Sequence, residues 1–137
     1  MNSALLGLLV AVGVLVALSD ARMQSFKVKG KVFCPKNPKD AAATTFKLAD
    51  EDDGPDPDDT LDEGQAQGDG QFSLQGQTDE LTPIDPRLKI YTDCNDGKPC
   101  QRKIRIHLPT SFINKGFFDI GELNLEMEYP GESRDCL

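Results

Sequence analysis

The chain has no tryptophan, a single histidine (His107) and two tyrosines in 137 residues. One histidine cannot supply a paired-imidazole relay or a His-rich zinc ligand set. No Cys-x-x-Cys spacing occurs, which argues against a zinc knuckle built from the four cysteines. Bases are scarce: 15 Lys and Arg stand against 23 Asp and Glu, for a net charge of −8. That balance disfavours a nucleic-acid partner. A helical period is missing beyond residue 21. Beyond residue 18 there is no further apolar run, so no second membrane-length segment exists.

The one apolar run covers residues 4–18, broken only by Gly7 and Gly13. It is short of the roughly 20 residues a membrane span needs and fits the core of a secretory signal peptide. Ser19-Asp20-Ala21 meets the small-residue rule for cleavage; Ala17-Leu18-Ser19 is a second site, and an uncleaved anchor is the alternative. The expected organisation is a signal peptide over 1–21 and one domain over 22–137, secreted and associated with the cell surface. No transmembrane segment would remain after cleavage. Cys34, Cys94, Cys100 and Cys136 all lie beyond the cleavage site, and an even count in that compartment implies two disulfides.

Period-two alternation runs through the rest. Residues 24–33 place Phe26, Val28 and Val32 on one face and Lys27, Lys29 and Lys31 on the other. Residues 44–49 put Phe46 and Leu48 inward, Thr45 and Lys47 outward. Residues 50–64 hold nine acids and two prolines without a base, so they read as extended and solvated rather than as a central strand. Leu61 opens a short third strand. Gly68-Asp69-Gly70 is turn chemistry, followed by a strand over 71–74. Further strands cover 87–92, 101–108 and 118–129. In the last, Leu123, Leu125, Met127 and Tyr129 face inward, and Glu122, Asn124, Glu126 and Glu128 outward. About seven short strands indicate an all-β sandwich.

The stretch 86–109 (PRLKIYTDCNDGKPCQRKIRIHLP) organises the chain. If Cys94 and Cys100 oppose each other in a hairpin, Leu88 meets Ile106 and Ile90 meets Ile104, an unbroken apolar inner face. Outside, Arg87 meets His107, Lys89 meets Arg105 and Tyr91 meets Lys103, with Lys47 alongside. Opposed bases cost roughly a few tenths of a kcal/mol per pair. The lysines of the first strand and the glutamates of the last complement one another if those strands pair. Alternating strand directions gather all four cysteines at one pole. Three connectivities are open; Cys94–Cys100 with Cys34–Cys136 is expected, with Cys34–Cys94 and Cys100–Cys136 as the rival.

A family resemblance is carried by Val28-Lys29-Gly30-Lys31 with Cys34, the acidic residues 50–59, Gly68-Asp69-Gly70-Gln71-Phe72, Ile84-Asp85-Pro86 and Leu88-Lys89-Ile90-Tyr91. With these go Asp93-Cys94-Asn95-Asp96-Gly97-Lys98-Pro99-Cys100, Phe118-Asp119-Ile120-Gly121, Tyr129-Pro130-Gly131-Glu132 and Asp135-Cys136. Over residues 24–136 the chain resembles the nematode transthyretin-like proteins. The resemblance implies a transthyretin (prealbumin) sandwich, an extracellular setting and no particular ligand. Hydroxyisourate hydrolases share that sandwich but use several histidines and a C-terminal Tyr-Arg-Gly-Ser. This chain has His107 alone and ends Arg-Asp-Cys-Leu, so no enzyme activity is expected. The link 95–99 also leaves no room for the helix that transthyretin has there.

The expected function is therefore non-enzymatic binding of an extracellular ligand or cell-surface component. The candidate site is an anion-recognising outer face of Lys47, Arg87, Lys89, Tyr91, Lys103, Arg105 and His107. Lipid headgroup, glycan and acidic protein all fit that charge. The alternative is a carrier of a small apolar ligand, held in the sandwich or at a dimer interface. No cofactor and no metal are expected: counted back from Gly54, the acidic stretch fails the EF-hand pattern, with Ala49 first and Thr60 twelfth.

Overall fold

The computed structural model describes residues 23–51 and 58–136. The expected signal peptide and residues 52–57 of the acidic stretch lie outside the described residues. Eight strands form two sheets: β1 (Met23–Phe33), β2 (Thr45–Asp50), β3 (Asp59–Gln65), β4 (Gln71–Asp79), β5 (Pro86–Thr92), β6 (Gln101–His107), β7 (Phe118–Asn124) and β8 (Ser133–Asp135). The three-stranded sheet has the order β4-β1-β7; the five-stranded sheet has the order β3-β2-β5-β6-β8.

The alternation read from the sequence sets which side chains enter the space between the sheets. Phe26, Val28 and Val32 of β1, Phe46 and Leu48 of β2, Leu88 and Ile90 of β5 and Ile104 of β6 are fully buried. Phe46 of one sheet stacks on Phe72 of the other, with ring centroids 4.1 Å apart. Each such side chain contributes roughly 1.5–3 kcal/mol by leaving water. At the β3–β4 turn, Gly70 has φ +88°, a conformation that costs a residue with a Cβ, as its Asp-Gly signal implied. The β5–β6 register is the one derived from the sequence, from Arg87 opposite His107 to Tyr91 opposite Lys103.

Several expectations are corrected. A five-residue helix, α1 (Pro38–Ala42), follows β1. One turn and a half is too short to show a helical period, and Pro38 suits a first-turn position, where no N–H is needed. β4 runs on to Asp79, and β3 is a full strand opening inside the acidic stretch; its position at a sheet edge fits its charge. β7 stops at Asn124, and Leu125 is buried while Met127 is 59% exposed. Of the outward glutamates, only Glu122 sits opposite a lysine of β1, Lys31, and the pairing is parallel. Glu126 instead accepts the Lys36 backbone N–H at 2.7 Å.

The disulfide expectation is also overturned: the bonds are Cys34–Cys94 and Cys100–Cys136. Cys34 continues the inward face of β1, and Cys94 that of β5. Both are buried, so they meet across the two sheets. Cys100 has φ +68°, and its bond to Cys136 holds the end of β8 against β6. The thiols do gather at one pole.

At that pole Arg102, 6% exposed, organises the chain beyond β7. Its Nε donates to Glu132 Oε1 at 2.8 Å, Nη1 to the carbonyls of Cys94 and Leu125, and Nη2 to that of Met127 at 2.8 Å. Glu132 in turn accepts the Tyr129 backbone N–H at 3.0 Å. The reversal between β7 and β8 is thus wrapped around one guanidinium.

Candidate anion-binding face

The strand order β2-β5-β6 lays the outward bases side by side. Lys47 is opposite Lys89, and Lys89 is opposite Arg105, a row of three cations across three strands. Tyr91 lies one step along, with Thr45 and Lys103 on its two sides. Strand spacing of about 4.8 Å makes such a row repulsive unless it is compensated.

The compensation divides the candidate residues into two groups. Arg87 is met by Glu51 at 2.7 Å and by Asp85 at 3.0 Å. No hydrogen bond reaches Glu51 Oε2, although Arg87 Nη1 is that close. The contact is an ion pair without hydrogen-bond geometry, and Nη1 also lies 2.6 Å from His107 Nε2. Lys89 is 8% exposed and donates to Asp58 at 2.6 Å. Arg105 shares Glu51 at 3.7 Å, with 44% of its side chain exposed. Carboxylates on either side of residues 52–57 therefore neutralise much of the face. None of these partners was singled out by the sequence reading, because Glu51 and Asp58 look like any other acid in that run.

Lys47 and Lys103 form the second group. Neither makes an ion pair among the described residues. Their ammonium groups lie 5.2 and 5.6 Å from the centroid of the Tyr91 ring, which they cover down to 6% exposure. Burial raises the Tyr91 pKa, and the Asp135 charge adds to it. Burial lowers the Lys103 pKa, with the cations of Lys89 and Arg105 acting in the same direction. The two lysines are thus held by an aromatic ring, in a region where added positive charge is unfavourable.

Elsewhere, carboxylate oxygens of Asp50, Asp59 and Glu80 come within 4.8 Å of one another. Asp50 Oδ1 is already used, accepting the Asp85 backbone N–H at 2.8 Å. The space between the sheets is filled by the aromatic and aliphatic core, which leaves the apolar-carrier alternative without a chamber inside the sandwich among the described residues and confines it to a dimer interface. The grooves lie on outer surfaces, one of about 350 Å³ beside Lys29, Lys31, Gln71 and Ser73.

Together these features define a disulfide-bonded β-sandwich with a partly self-neutralised basic face. The family profile described as the transthyretin-like family matches residues 29–109. Transthyretin-like protein 5 of Caenorhabditis elegans is 50% identical over 120 residues, covering 83% of this chain and 85% of that one. Transthyretin-like protein 33 of the same organism is 49% identical, covering 83% and 82%. Transthyretin-like protein 46, also from C. elegans, is 46% identical and covers 100% of this chain and 78% of its own. The chain belongs to the transthyretin-like family. Among solved structures, a 9R-lipoxygenase from Cyanothece is similar at 19% identity and a TM-score of 0.46, over 74% of this chain and 16% of that chain. That likeness is too weak to bear on fold or activity.

Proposed function

We propose that the protein is secreted and acts without catalysis, recognising an anionic ligand or surface outside the cell through the outer face of the five-stranded sheet. The observation that carries this reading is the cluster of bases on β2, β5 and β6, in which Lys47 and Lys103 make no ion pair among the described residues, in a chain of net charge −8. Membership of the transthyretin-like family agrees with a binding role rather than catalysis. So does His107, whose Nε2 is engaged by Arg87 rather than by a nucleophile. Secretion rests on residues 1–21. Expression in a eukaryotic secretory host is expected to release protein beginning at Arg22 into the medium; full-length protein retained by the cells would overturn that part.

Binding is tested on heparin resin and on phosphatidylserine vesicles at about 10 mM ionic strength, where the Debye length is about 30 Å. Retention by one of them is expected despite the net negative charge, and it should be lost in the K47E/K103E variant. Lys89 is unsuited to this test because its reversal would set a buried carboxylate against that of Asp58. No retention by either material, or equal retention of the variant, sinks the reading.

A further inference from the structure

We infer that Lys47, Tyr91, Lys103 and Arg105 form a site for a sulfate ester carried on a polysaccharide, an assignment that rests on the anionic-ligand reading above. Lys47 and Lys103 stand two strands apart with Tyr91 between them, a separation of roughly 10 Å at the usual strand spacing. Their ammonium groups are held 5.2 and 5.6 Å from the centroid of the Tyr91 ring, so they are partly ordered before any ligand arrives and lose less freedom on binding. Arg105 is two residues along β6 from Lys103 and is the outward arginine of this face with most of its charge turned to solvent. A sulfate entering between them accepts charge-assisted hydrogen bonds from three sides.

The surrounding carboxylates limit the size of the site. Glu63 is opposite Lys47 across β3, Asp58 sits on Lys89, Glu51 lies beside Arg105, and Asp135 of β8 faces the Tyr91 and Lys103 side. They fence off the surface around the lysines, so a small anionic group on a flexible chain reaches them more readily than a flat, uniformly charged bilayer does. Among the described residues the exposed large apolar side chains are Met23, Leu81, Phe117 and Met127. None belongs to β2, β5 or β6, so this face has nothing to insert below lipid headgroups, which a surface-bound protein uses to strengthen its hold. Charge without an apolar anchor fits a polyanion in water.

The test uses the processed chain and a heparin-derived hexasaccharide, its desulfated counterpart, and phosphatidylserine vesicles at about 10 mM ionic strength. Binding of the sulfated sugar is expected, with no binding of the desulfated one. K47Q/K103Q should bind at least about tenfold more weakly while melting only a few degrees lower, because neither lysine is in an ion pair among the described residues and each contact with the Tyr91 ring contributes only a small part of the stability. D58N should bind more tightly, since it removes a competing carboxylate; a merely structural role for Asp58 would leave affinity unchanged or lower it. Equal binding of the desulfated sugar, or unchanged binding by K47Q/K103Q, overturns the sulfate site. Binding to vesicles but not to the sugar overturns it and leaves the broader anionic-face reading standing. Binding to neither overturns both.

Discussion

Arg102→Ala is expected to lower the stability of the folded chain by about 3–5 kcal/mol, the scale of breaking a buried charge pair. The guanidinium is 6% exposed and is shared by the carbonyls of Cys94, Leu125 and Met127 and by Glu132. Its removal deprives the buried carbonyls of Cys94 and Leu125 of this donor and leaves Glu132 without its counter-charge. A loss of that size corresponds to a fall in melting temperature on the order of 10 °C for a chain of this length. Arg102→Lys keeps the charge but offers a point donor in place of a planar fork, so it should recover only a minor part of the loss. Urea titration of the three proteins is the measurement. Near wild-type stability in Arg102→Lys would show that charge alone, and not the fork, holds the reversal between β7 and β8. The lesion should also be local, with β8 losing amide protection before β5 does.

Removing the Cys34–Cys94 bond as a Cys34→Ala/Cys94→Ala pair is expected to cost about 4 kcal/mol on the chain-entropy scale for a closed loop of this length. The two residues are 60 apart in sequence and bridge the sheets from inside the core. The matching loss for Cys100 and Cys136, 36 apart, should be smaller. That bond anchors only the three-residue β8 and lies toward the surface. Denaturant midpoints of the two double variants test the order. Non-reducing peptide mapping after cleavage between Cys94 and Cys100 tests the pairing itself. A peptide linking Cys94 to Cys100 would reverse the connectivity described here.

The β5–β6 hairpin was legible because its information is local. Alternation assigns each residue a face, and the opposed cysteines give a symmetric reference from which the register follows. The burial of Phe46, Leu48, Leu88, Ile90 and Ile104 could be read the same way, and so could the placement of Lys47 beside Lys89. Arg102 left a signal that was passed over: it shares the inward parity of Ile104, and a charge at an inward position needs partners. Met127 misled in the opposite sense. It extends the alternation of β7, yet the chain turns after Asn124 to close around the guanidinium, leaving Leu125 buried and Met127 exposed.

By itself the sequence determined the all-β class, the inward and outward faces, the turn at Gly70, the row of outward bases and the family. Each of these depends on residues close along the chain or on their pattern. Only the tertiary structure decided which cysteines join, which acids rest on which bases, and that Lys47 and Lys103 gather around Tyr91 with no ion pair among the described residues. Those outcomes depend on contacts between segments tens of residues apart. There many carboxylates or thiols are chemically equivalent, and the packing of the two sheets alone selects among them.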